Sequence, residues 1–128
     1  MNLTRGRVAD LSFAVAFLAS AWVQTNDPDP MRWVAVYLFA ATLALWPGEQ
    51  RPVRVVAGLL GVAAAVWCVF VLPEASRVTR PGEIVRAMSP DRPQTEAARE
   101  LGGLLLILVF ALQRAFRRPP AAAEEPVE

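Results

Sequence analysis

Histidine and lysine are missing from this chain, and it has one cysteine, Cys68, and one tyrosine, Tyr37. Without imidazole and with a single thiol there is no Ser-His-Asp triad, no His-ligated haem and no nitrogen–sulfur zinc site. No disulfide can form within the chain. All 13 basic residues are arginine and the formal charge is only +1, so there is no broad cationic surface to hold nucleic acid by counterion release, and nucleic acid is excluded as a partner. What is plentiful is apolar surface. Of 128 residues, 55% are hydrophobic, against about 45–50% in ordinary soluble domains.

A helix crosses about 30 Å of hydrocarbon with roughly 17 to 25 mostly apolar residues. Four segments qualify, each bounded by charge or proline: residues 8–25, 30–47, 53–72 and 96–114. The third carries only Arg54 near its start. The reading is an all-α membrane protein, four transmembrane helices in an up-down antiparallel bundle over residues 1–116, with a disordered tail at 117–128. The stretch from Pro73 to Thr95 holds four prolines and is too broken for a long helix, with room for a short amphipathic turn at residues 83–88.

Arg5 and Arg7, an apolar run and then Ala19-Ser20-Ala21 also imitate a cleavable signal peptide, although Asp10 interrupts the run and three more spans favour a retained helix. Alternating spans place Arg5, Arg7, Arg51, Arg54, Arg114, Arg117 and Arg118 on one side, against six arginines on the other. The expected location is the bacterial inner (plasma) membrane with both termini cytoplasmic.

Helices in lipid associate where small residues let backbones approach. Ser12, Ala16 and Ser20 form such a stripe in the first span, Ala40 and Ala44 in the second, Ala57, Gly61 and Ala65 in the third, and Gly102 and Gly103 in the fourth. Trp22, Trp33, Trp46 and Trp67 fall near span ends, as interfacial anchors do, and Cys68 reads as a small core residue.

The turn Asn26-Asp27-Pro28-Asp29-Pro30 stops one helix and starts the next. Asn26 tolerates left-handed geometry, and Asp29 before Pro30 makes an N-cap and N1 pair. On the same side the fourth span opens with Glu96, Arg99 and Glu100, for which Thr95 is a candidate N-cap and Glu100 lies one turn inside the apolar run. Asn26, Asp27, Asp29, Trp33, Tyr37, Glu96, Arg99 and Glu100 are therefore expected to form one polar cluster, either a structural lock or a ligand site. Asp27 or Asp29 would pair with Arg99 or Arg32. Surplus negative charge would be met by raised pKa values, a proton, or a hard cation such as Ca²⁺ or Mg²⁺. On the opposite side, Asp10 and Arg54 form a second candidate pair.

The string from Gln24 through Asn26-Asp27-Pro28-Asp29-Pro30 to Trp33 and Tyr37, together with Glu96, Arg99, Glu100, Gly103 and Leu104, resembles the paired motifs of the transmembrane protein 220 family. The likeness runs from about residue 13 to residue 112. It implies a small multi-spanning membrane protein without an established activity.

The functional expectation is a non-enzymatic accessory or structural subunit, without cofactor or bound metal, whose partners are the lipid bilayer and other membrane-protein subunits. The alternative is a small transporter or channel moving a proton, cation or small solute past Asp27, Asp29, Glu96 and Glu100. A membrane enzyme using paired carboxylates as general acid and base is the third reading.

Overall fold

The computed structural model describes residues 4–27, 29–78 and 93–118. They form four helices, with no strand among them: α1 (Arg5–Gln24), α2 (Pro30–Leu45), α3 (Arg51–Ala75) and α4 (Pro93–Phe116). The expected amphipathic turn at residues 83–88 and the tail beyond residue 118 lie outside the described residues.

Each start has a local cause. Thr4 caps α1 by accepting the Arg7 amide at 3.3 Å, while Pro30 and Pro52 open α2 and α3 where a missing N–H costs nothing. At the far end of α1 the chain closes with bonds from Thr25 to Trp22 and from Asp27 to Gln24, and no residue other than glycine has a positive φ among those described. Asn26 thus does not take the left-handed cap expected of it. Two further boundaries differ from the sequence reading. The helix α3 runs past Pro73 to Ala75, its last turn held by the Ser76 amide on the Leu72 carbonyl at 2.9 Å. Likewise α4 begins at Pro93, so Thr95 lies inside the helix and is not its cap.

The helices pair as two hairpins, α1 with α2 and α3 with α4. In the second hairpin the backbones touch through glycine: a Cβ on Gly61 would sit 3.0 Å from that of Ala111. Bulkier side chains join one hairpin to the other. Phe17 meets Phe110 edge-on at 5.3 Å, Phe13 meets Phe110 at 5.4 Å, and Trp33 meets Trp67 at 5.2 Å. The buried face of α1 is Asp10, Ala14, Phe17, Ala21 and Gln24, a repeat of four and three. This replaces the expected Ser12-Ala16-Ser20 stripe, because the Ser12 and Ser20 hydroxyls are satisfied by carbonyls of their own helix. Ala40, Ala44, Ala57 and Gly61 are buried as expected, with Ala64 taking the place of Ala65.

Large apolar side chains face outward on all four helices. Val15 and Trp22 on α1, Leu38 and Phe39 on α2, Val62 and Phe70 on α3, and Val109 and Phe116 on α4 are exposed. So many large apolar side chains turned outward suit a lipid surround. By length and composition, α1 and α3 are apolar enough to cross a membrane; α2 is a shorter apolar helix of 16 residues.

Candidate functional site

Both ends of the bundle are polar. At the end formed by the α1–α2 turn and the start of α4, the Trp33 indole N–H donates to Glu100 Oε1 at 3.0 Å. Tyr37, one turn further along α2, lies beside Gln24 at the end of α1 and packs on Phe17. Its ring also lies against Gly103, where a Cβ would be 2.9 Å from the Tyr37 Cζ and would fall on its hydroxyl. The Arg99 guanidinium is near enough to draw on the Asp27 carboxylate. The first interhelical turn and the mouth of α4 therefore meet, as expected.

The pairing differs in detail. Among the described residues no ion pair within 4.0 Å joins Asp27, Asp29, Glu96 or Glu100 to Arg32 or Arg99. Arg32 instead lies over the Trp67 ring at 5.1 Å, a cation–π contact. Asn26 and Asp29 are exposed, and Asp29 occupies the N-cap position of α2 without a side-chain bond. Trp33 is buried, so it is a hydrogen-bond donor in the core and not an interfacial anchor, whereas Trp22 and Trp46 are exposed. Among the described residues, no group of three or more Asp, Glu or Cys side chains is gathered in a way that could hold a metal ion.

Asp27 lies in the turn, outside the helices. Its Oδ1 is buried without a hydrogen bond, and burial raises its pKa above the usual 3.8, opposed by Arg99 and assisted by Asp29. A carboxyl with a raised folded pKa binds protons more tightly in the folded state. Its contribution is therefore most favourable below pH 3.8 and is lost as the pH rises through the folded value. Asp27→Asn should raise the melting temperature at neutral pH and leave it unchanged at pH values below that range; thermal unfolding at several pH values measures this. Trp33→Phe removes the donor to Glu100 and should cost about 1.5 kcal/mol, read from unfolding in detergent, while Glu100→Gln keeps an acceptor and should cost less.

The denser polar network is at the other end. Asp10 and Arg114 are each 1% exposed and form a buried ion pair. Arg117 grips the same carboxylate with both nitrogens, at 2.7 and 2.8 Å, and reaches Glu49 at 2.9 Å. Its charged form is held firmly, by Asp10 before Glu49. The second Arg114 nitrogen donates to the carbonyls of Trp46 at 2.9 Å and Gly48 at 2.8 Å. Arg7 adds two bonds of 3.3 Å to the Leu45 carbonyl, so arginines satisfy the carbonyls that α2 leaves at its C-terminus. Gly48, at φ 83°, supplies the left-handed turn that brings its carbonyl to Arg114.

The expected partner of Asp10 was Arg54. That side chain instead donates to the Ala115 carbonyl at 3.2 Å, closing the end of α4. What sequence reasoning missed is Arg114, Arg117 and Glu49. The signal was present: Asp10 continues the four-and-three repeat of the buried α1 residues, and Arg114 continues that of Leu104, Ile107 and Ala111 on α4.

No curated protein and no solved structure matches the chain. The Asn-Asp-Pro-Asp turn, the Trp33–Glu100 bond it positions and the glycine beside Tyr37 all lie within the region, residues 16–116, that matches transmembrane family 220 (helix), and the chain belongs to that family.

Proposed function

We propose that this chain spans the membrane four times, with both termini on the cytoplasmic side of a bacterial inner membrane, and serves as a non-catalytic accessory or structural subunit. The observation that carries the reading is the direction of its charges. The first three turns of α4 carry Glu96, Arg99 and Glu100, and its last carries Arg114, which lowers its apparent fitness for lipid. Yet Glu100 meets Trp33 and Arg114 meets Asp10 inside the bundle, while Leu105, Val109, Leu112 and Phe116 face outward. Ionisable groups in a span are expected to be turned inward and paired in this way. The helix α2 is short, roughly 24 Å for its 16 residues, and its ends reach the polar turn and the arginine network.

Asp10, Arg114, Arg117 and Glu49 tie one end of the bundle together, Trp33 and Glu100 meet at the other, and the layer between them is filled. Ala14, Phe17, Ile107 and Phe110 are buried in the middle of the bundle. This supports a scaffold held at each end and gives no support to a water-filled path. The competing reading, passage of a proton or cation past Asp27, Asp29, Glu96 and Glu100, draws support from the unpartnered Asp27 oxygen.

Two measurements separate them. Mild-detergent purification of the tagged full chain should bring down a membrane protein in fixed stoichiometry. Proton or cation flux in vesicles carrying the purified chain should not exceed that of empty vesicles. Flux abolished by Asp27→Asn or Glu100→Gln would overturn the accessory role, and reporters placing the two termini on opposite sides would overturn the four-span topology.

A further inference from the structure

The network around Asp10 walls a cleft of about 360 Å³ between the start of α1, the α2–α3 turn and the end of α4. Four arginines, Arg7, Arg114, Arg117 and Arg118, line it with two acids, Asp10 and Glu49. Both Asp10 oxygens are already engaged, and Glu49 Oε1 is held by Arg117. Among the described residues, no carboxylate lies within 4.0 Å of Arg7 or Arg118. Arg114 Nε and Glu49 Oε2 are both buried without a partner. The cleft thus carries two positive charges beyond what its own acids balance, those of Arg7, whose terminal nitrogens also hold the Leu45 carbonyl, and of the exposed Arg118.

A second feature lies on α3 and α4. An apolar groove of about 420 Å³ follows α3 and α4 from Val55 and Phe116 to Ala65 and Leu108. It is widened where Gly58 faces Ala115, and it ends at Ala115 and Phe116, directly before Arg117 and Arg118 in the chain. A basic pocket and an apolar trough linked through consecutive residues of the chain offer the two halves of a charged lipid: the guanidinium fork suits phosphate oxygens, and the trough suits a hydrocarbon chain.

We propose that this cleft binds the phosphate of an anionic phospholipid, with one of the lipid's acyl chains lying in the α3–α4 groove. Arg7 and Arg118 at the rim take the phosphate, and the Asp10–Arg114–Arg117 network beneath holds the wall in place. Zwitterionic phosphatidylcholine brings a phosphate too, but its choline cation cancels the gain from two surplus arginines. The proposal rests on the membrane-spanning reading above.

The test reconstitutes the full chain in vesicles of an equal mixture of phosphatidylcholine and phosphatidylglycerol, extracts it in mild detergent and analyses the phospholipid that stays bound. Phosphatidylglycerol should be retained over phosphatidylcholine by roughly tenfold or more, the scale expected of two interfacial arginines. The exposed Arg118→Gln should lower that preference, and Arg7→Gln with Arg118→Gln should bring it close to one. Arg77→Gln, an exposed arginine at the opposite end of α3, should leave it unchanged.

Equal retention by the wild-type chain, or undiminished preference in the double variant, overturns the proposal. So does loss of bound phosphatidylglycerol in millimolar inorganic phosphate, which would mark a site for the free anion. Flotation of the same samples distinguishes the two levels of failure. A chain that floats with the vesicles but shows no preference defeats the lipid site alone, and a chain that does not float defeats the membrane reading and the site with it.

Discussion

Asp10→Asn is expected to destabilise the protein by about 3–5 kcal/mol, because it strips the counter-charge from a buried arginine. Arg114 is 1% exposed, and Arg117 loses both of its short bonds to the same carboxylate. The amide would offer one acceptor where the carboxylate offers two, and it would place a donor against guanidinium nitrogens. Unfolding in mixed micelles, followed by tryptophan fluorescence, measures the cost. Arg114→Met alone should also be strongly destabilising, since it frees the Trp46 and Gly48 carbonyls and leaves Asp10 with Arg117 only. Combining Asp10→Asn with Arg114→Met should cost clearly less than the sum of the two single changes, as expected of partners in one network. Additive losses would show that the two residues contribute separately.

Gly103→Ala is expected to cost about 3 kcal/mol, at the upper end of what overpacking does. The new methyl group would fall on the Tyr37 hydroxyl, with the ring carbon behind it at 2.9 Å. Tyr37 is 2% exposed and is held between Phe17 and Trp33, so it has little room to move. The neighbouring Gly102→Ala is the built-in control. A Cβ there meets nothing within 4 Å, and the change should be neutral or slightly stabilising through helix propensity. The two variants differ by one position on one helix, so the difference between their unfolding midpoints isolates the contact with Tyr37. A Tyr37→Phe background, which removes the hydroxyl, should recover part of the loss.

The order of helices and the meeting of the first turn with the start of α4 were legible because they follow from length, alternation and proline placement. Pro30 and Asp29 mark a helix start wherever they occur, and short connections force neighbouring helices to run antiparallel. The pairing of individual charges was not legible in the same way. At the turn, the acids were matched with arginines by sign, yet Glu100 took a neutral indole donor and Arg32 took an aromatic face. Sign alone ignores depth: Trp33 lies one turn below Asp29 and reaches Glu100 from inside. At the other end, the nearest arginine by span boundary, Arg54, was matched to Asp10, while the buried repeat on α4 points to Arg114. The serine stripe on α1 failed for a related reason, since spacing by four alone drifts around a helix and the four-and-three repeat does not.

The Asp10–Arg114 bond joins residues separated by 104 positions. Asp10 leaves the ribosome 104 residues before Arg114, so α1 carries an acid without its buried counter-charge until α4 has been made. The arrival of α4 therefore settles both hairpins at once: a polypeptide interrupted before it would leave Asp10 with neither of the arginines that hold it.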